Sequence, residues 1–377
     1  MAFVEALVQA PRRDGNRLKI LRNGREIFPA MLEAINSARE CIDFSTYIYW
    51  TGDISPQFAD ALADKASDGV EVNVLLDAHG SSRMDQRLIE RMRSAGATVV
   101  WFRPPHWYNV QKINKRMHRR LLIVDGKMGF MGGVGIAEQW DGNAEDPEHE
   151  RETHLRVAGP AVRDLLGGFL ENWTEGTSSL LSASHFPHID AFDDGIPVQV
   201  ARTVSTPGTR GLPEMLWAAV AGSKERFWVT TAFFAPRRAF IDALCDAAER
   251  GVDVRILTGG PHQDNQMPRD AGHRSYHRLL ESGVRIFEYQ QAKLHAKVIT
   301  IDGVWANVGS SNFENRSLSL NDEINMSMQD ASVVAELERH FHDDLTVSQE
   351  LDLQTWSRRP LTKRAREYAT DLVRQSL

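Results

Sequence analysis

The chain repeats itself, and that duplication limits the folds open to it. Residues 61–69 and 243–251 both read as amphipathic helices that end on a glycine, Gly69 and Gly251. Each runs directly into a stretch rich in β-branched residues, 70–76 and 252–257. A glycine just past the last turn adopts the left-handed conformation that stops a helix. Apolar, β-branched runs bounded by such stops read as strands. A second helix follows in each half and ends near Gly96 or Gly283. Strands are expected at 42–49, 70–76, 98–102, 121–124 and 154–157, then again at 227–233, 252–257, 285–289 and 296–301. Strands alternating with helices predict sheets covered by helices, so the duplicated series predicts two α/β/α sandwich lobes.

The repeat suggests a division of the chain. Residues 1–175 form a first lobe and 198–350 a second. Residues 176–197, serine-rich and then acidic, read as the linker between them. Residues 351–377 form a basic tail with Leu361, Ala365, Tyr368 and Leu372 at helical spacing. The acidic stretch 141–150 reads as a solvated loop.

Each half also carries one short polar pattern. In the second it is His295-Ala296-Lys297, then four apolar residues and Asp302; in the first it is His118-Arg119-Arg120, then four apolar residues and Asp125. Residues two apart on a strand share a face, so each histidine is expected to point the same way as its cation. Imidazole attacks when neutral and donates a proton when charged, near pH 6.5. Two imidazoles and two cations around one phosphate can therefore divide nucleophile, acid and charge-clamp roles. A short interval later come Gly309-Ser310-Ser311-Asn312 in one half and Gly132-Gly133-Val134-Gly135 in the other. Glycines permit close backbone approach to an anion. Ser310 and Asn312 add donors, so Gly309, Ser310, Asn312 and Gly133 are candidate substrate contacts. Glu152 and Glu323 follow, each a candidate for fixing a histidine tautomer. The candidate catalytic set is His118, Arg120, Asp125, Glu152, His295, Lys297, Asp302 and Glu323, with no metal ligands.

On these residues the chain resembles the phospholipase D superfamily, and within it the bacterial cardiolipin synthases. The text around His295 and Asn312 and the run from Glu152 to Pro160 carry the likeness, which extends from about Asn16 to Leu377. The resemblance implies one active site between two lobes, a phosphohistidine intermediate and no metal or other cofactor. It implies His118 as nucleophile and His295 as acid and base, with the reverse assignment open. Two positions depart from the pattern: Arg120 stands where lysine is usual, and Gly135 where asparagine is usual. Arginine is not interchangeable with lysine at a phosphate site. A lost donor costs on the order of a hundredfold or more in rate.

The expected activity is phosphatidyl transfer between phospholipids, with hydrolysis where water is the acceptor. The alternatives are a phosphodiesterase of nucleic acids and a lipid-binding protein with a weakened first copy. The net charge of −7 gives nucleic acid no support. No run approaches the ~20 apolar residues of a membrane span, so the resemblance is to a short form without N-terminal membrane helices. A cytoplasmic protein, peripheral to the inner membrane, is expected, with anionic phospholipids as substrates. Oligomeric state is not legible. Trp107, Tyr108, Lys112, Lys115 and Arg116 beside His118, and the basic tail, are candidate lipid contacts. Cys41 and Cys245, the two cysteines, read as buried free thiols.

Overall fold

A computed structural model describes residues 5, 10–105, 115–203 and 211–359. The apolar runs between glycine stops do form strands, and fifteen strands join into one continuous sheet. Its centre is an antiparallel pairing between Arg12–Arg22 and Ile196–Thr203, one strand from each half of the chain. Outward on the first side lie Thr153–Ala158, Met128–Gly132, Leu121–Val124, Cys41–Thr46, Glu71–Asp77 and Thr98–Phe102. On the other side lie Glu323–Met328, Trp305–Gly309, Val298–Ile301, Arg226–Thr231, Asp253–Gly259 and Arg285–Tyr289. The two series match member for member. A short strand, Ser348–Glu350, caps the second edge.

Helices cover both faces, as the alternation predicts. Asn23–Ser37, Ile54–Ser67 and Gln86–Ser94 bury Ile27, Phe28, Phe58, Leu62, Ile89 and Met92 over the first lobe. Leu212–Gly222, Arg238–Glu249 and Gln266–Glu281 do the same over the second. Val162–Thr177 and Ala331–Thr346 pack on the opposite face, where residues of both halves form one apolar core. Leu121, Met131, Val298, Val308 and Ile324 meet in that core. Charged contacts also tie the halves together. Fully buried Arg119 donates to the carbonyls of Glu323 and Thr203 in one half and of Gly168 in the other. Arg151 pairs with Asp344 at 3.0 Å.

Three expectations are revised. The strands begin at Leu121 and Val298, so His118, Arg120, His295 and Lys297 lie on the segments leading into them rather than within them. Residues 176–197 include the end of the Val162–Thr177 helix, a turn at Ala183–His185 and the start of the Ile196–Thr203 strand. Asp125 and Asp302 leave the candidate catalytic set. Each sits at the far end of its strand with a φ of +52°, in a turn. Asp125 accepts the backbone N–H groups of Arg39, Glu40 and Cys41, and Asp302 those of Lys224, Glu225 and Arg226. Burial alone would raise the Asp302 carboxyl, but these three donors hold it below its ordinary value. Both aspartates anchor the start of a neighbouring strand.

Replacing Asp302 with asparagine is expected to lower stability by about 2 kcal/mol, since charge-assisted hydrogen bonds are lost. The turnover number per folded molecule changes by less than about tenfold, because the carboxyl lies away from the reacting groups. Thermal unfolding and single-turnover kinetics on the same sample check this.

Candidate active site

The two histidine segments reach the middle of the molecule by pairing across the halves. The His118 N–H donates to the Asp322 carbonyl at 2.9 Å, and the His295 N–H to the Arg151 carbonyl at 2.8 Å. Lys293–Leu294 also pairs in parallel with Glu150–Arg151. Each histidine is thus laid beside the acid-bearing strand of the other half. The side chains follow the same exchange. His118 Nδ1 stands 3.0 Å from a Glu323 carboxylate oxygen. His295 Nδ1 stands 2.5 Å from Glu152. Sequence order alone pairs each glutamate with its own half's histidine; the structure crosses them.

Both carboxylates are fully buried and held in turn. Ser310 donates its hydroxyl to Glu323 at 2.5 Å, and Asn321 donates at 3.4 Å. Glu152 accepts the Thr153 N–H at 2.9 Å. Burial pushes the Glu152 carboxyl upward and the Glu323 carboxyl up to about 8. Burial, reinforced by Arg120 and Lys297, pushes both imidazoles well below their ordinary value. A neutral imidazole whose Nδ1–H donates a hydrogen bond to a carboxylate leaves Nε2 with a free lone pair. Both rings are prepared as bases or nucleophiles.

The cations are fixed by their own segments. Arg120 donates to the His118 carbonyl at 2.7 Å, and Lys297 donates to the His295 carbonyl. Arg120 Nε is buried without a protein partner. Desolvation lowers Lys297 to about 8. Two buried cations facing two neutral rings form a receptor for an anion, the arrangement a phosphodiester requires.

The proposed substrate contacts are redistributed. Gly133 is needed because a β-carbon there would come within 2.3 Å of the Glu152 carboxylate. Its counterpart Ser310 spends its hydroxyl on Glu323. Gly309 gives way to Asn325, with which a β-carbon would collide at 2.4 Å. Gly133 and Ser310 thus shape the carboxylates, and Gly309 makes room for the Asn325 amide. Asn312 is nearly buried, is hydrogen-bonded to Glu314, and keeps its Oδ1 unpartnered.

The departure at Gly135 has a physical cause. A β-carbon there would come within 2.7 Å of the Trp140 ring and 3.1 Å of Ile48. The indole fills the volume that a side chain at 135 would use. It stands edge-on to His295, with centroids 5.5 Å apart and planes at 78°. Tyr47 meets His118 in the same manner at 5.2 Å, and Arg120 lies over its ring. Asp77 accepts the Met117 N–H at 3.0 Å and so fixes the residue before His118. Sequence reasoning missed Tyr47, Asp77 and Trp140. Tyr47 and Asp77 lie at or just beyond the carboxyl ends of strands, where open α/β sheets build their sites; that position was the available signal. Residues 106–114 and 360–377, with Trp107, Tyr108, Lys112 and all but the first nine residues of the 351–377 tail, lie outside the described residues. Trp356, in the described part of the tail, stacks on Tyr276 at 5.3 Å.

Gly135→Asn alone should overpack the ring and cost about 1–3 kcal/mol. Trp140→Ser, which introduces the residue found at the matching position Ser317, removes the clash, so Gly135→Asn should cost less in that background than in the wild type. A double-mutant cycle by chemical denaturation measures the coupling; additive costs would contradict the account.

Comparison with known proteins agrees with this geometry. The family described as "Cardiolipin synthase, PLD-like domain" matches residues 31–162 and 216–345. Cardiolipin synthase 1 of Bacillus anthracis is 31% identical over 374 residues, covering 96% of this chain and 73% of that protein. A probable cardiolipin synthase of Bacillus subtilis is 31% identical over 359 residues, covering 93% and 70%. Among solved structures, phosphatidylserine synthase of Haemophilus influenzae superimposes with a TM-score of 0.77 at 14% identity, covering 99% of this chain and 98% of that one, a likeness of fold. With crossed carboxylate–histidine pairs in a duplicated α/β scaffold and this extent of sequence identity, the chain belongs to the phospholipase D-like cardiolipin synthase family.

Proposed function

We propose that this protein makes cardiolipin by moving a phosphatidyl group between two phosphatidylglycerol molecules, with His118 as nucleophile. Phosphatidyl transfer is the chemistry of its family; the choice of lipids and the division of roles are our reading. The observation that carries it is the pair of crossed carboxylate–histidine contacts beside two buried cations. The donor's phosphodiester sits between Arg120 and Lys297 and offsets the positive charge that, with burial, keeps the rings neutral. His295 then takes up a proton, stabilised by Glu152. His118 Nε2 attacks phosphorus, the bond to the glycerol headgroup breaks, and His295 gives its proton to the leaving oxygen. A hydroxyl of the second phosphatidylglycerol enters, His295 removes its proton, and attack on phosphorus frees His118. Two phosphatidylglycerols yield one cardiolipin and one glycerol. Water in place of the second lipid yields phosphatidic acid.

The same reading assigns residues 1–175 and 198–350 to two lobes joined through 176–197, and places the protein against the cytoplasmic face of the inner membrane. Its substrates are phospholipids, and no helix among the described residues is long and apolar enough to cross a membrane. Nucleic acid remains the second reading only for the chemistry, which is common to all phosphodiesters.

Purified protein given labelled phosphatidylglycerol in mixed micelles should release cardiolipin and glycerol in equal amounts and leave plasmid DNA intact. His295→Asn should reduce lipid turnover by about a hundredfold or more. Cut DNA with untouched lipid, or turnover indifferent to His295→Asn, would overturn the reading.

A pH profile tests the cation. Lys297 is charged below about 8 and neutral above it in the free site, and kcat/KM reports the free enzyme. The value of kcat/KM should therefore fall as pH rises through that range. Lys297→Arg, which keeps its charge, should move the basic limb upward.

A further inference from the structure

A second cluster of reactive side chains lies at the opposite end of the first-lobe strands. Cys41 and Asp43 point to one face of the Cys41–Thr46 strand, two residues apart. His185 arrives from the segment that joins the lobes. All three are buried, and their candidate ligand atoms lie within 4.8 Å of one another. His185 Nδ1 is 2.7 Å from Asp43, and its Nε2 is 3.0 Å from Glu71 on the adjacent strand. Asn73 donates to the other Asp43 oxygen at 3.1 Å.

We propose that Cys41, Asp43 and His185 form a binding site for a zinc-class divalent ion that fastens the inter-lobe segment to the first lobe. One thiolate, one imidazole nitrogen and one carboxylate oxygen form the mixed soft and borderline donor set that zinc accepts. The surroundings are those of a metal site. A ligating histidine usually has a carboxylate beside its other ring nitrogen, and Glu71 stands 3.0 Å from His185 Nε2; a ligating carboxylate is itself hydrogen-bonded, here by Asn73. Tetrahedral zinc places an imidazole nitrogen and a carboxylate oxygen about 3.3 Å apart. The 2.7 Å contact between His185 and Asp43 therefore opens by roughly half an ångström when the ion replaces the shared proton. Coordination displaces the Cys41 thiol proton and the His185 Nδ1 proton, so two protons leave for each ion bound.

The competing occupant is a proton. Burial alone would lower His185, but its contacts to Asp43 and Cys41 raise it to about 11. The cradle thus holds a positive charge in either state. The position is structural and separate from catalysis. The segment around His185 presses on the Asp125 turn, where a β-carbon on Gly126 would come within 2.5 Å of the His185 carbonyl and of Pro187. Among the described residues the second lobe has no equivalent cluster. Its matching strand places Arg226 and Trp228 at these positions, and Trp228 stacks on Phe341 at 5.2 Å.

The test uses the full-length protein, purified under reducing conditions without chelator and dialysed against cobalt(II) or zinc(II). Cobalt should bind at one ion per chain and give a thiolate-to-cobalt charge-transfer band, and zinc should raise the unfolding temperature. Cys41→Ser should abolish the band. Cys245→Ser, which removes the other buried thiol, should keep it. His185→Gln supplies a second variant outside the strands and should lower cobalt affinity at least tenfold. Absence of bound cobalt in the wild type, or a band that survives Cys41→Ser, overturns the proposal. Lipid turnover is a separate readout, so failure here leaves the catalytic reading untouched.

Discussion

The exchange of carboxylates between the two halves organises this molecule. Glu152 fixes His295 and Glu323 fixes His118, so neither half holds a complete catalytic histidine by itself. An isolated buried glutamate or imidazole is costly, whereas a hydrogen-bonded pair recovers much of that cost. The pairs therefore serve docking as well as chemistry. The central antiparallel strands, buried Arg119 and the common core beneath the site all act to hold this contact in register. Duplication explains why the arrangement is symmetric, and the symmetry brings both rings and both cations to one site.

The two copies nevertheless differ in ways that suit unequal roles. His118 meets Tyr47 and has Arg120 as its cation; His295 meets Trp140 and has Lys297. Guanidinium keeps its charge at any physiological pH, while a buried ammonium is tunable. The loss of an asparagine at position 135 is therefore part of a repacking around Trp140 and not simple decay of the first copy.

Much of this was legible in the sequence. Glycine stops and β-branched runs located the main helices and most strands, and the repeat predicted two equivalent lobes. The histidines, cations and glutamates were legible as a set because their chemistry is specific. What was not legible depends on which strands become neighbours. The crossing of Glu152 and Glu323 follows from strand order, which spacing does not encode. Asp125 and Asp302 read as catalytic because they close the motif, yet the strand that separates them from the histidines carries them to its far end. The short strands Met128–Gly132 and Trp305–Gly309 hold glycines that weaken any periodic signal. The approach of Cys41, Asp43 and His185 joins residues far apart in the chain and has no local signature.

The crossed pairing is most directly tested by nitrogen-15 NMR of the histidine rings in the full-length protein. The account predicts neutral rings with Nδ1 protonated and strongly hydrogen-bonded at both His118 and His295. Glu323→Gln should shift the His118 ring signals and leave those of His295 in place, and Glu152→Gln should do the reverse. A response of each histidine to the glutamate of its own half would contradict it.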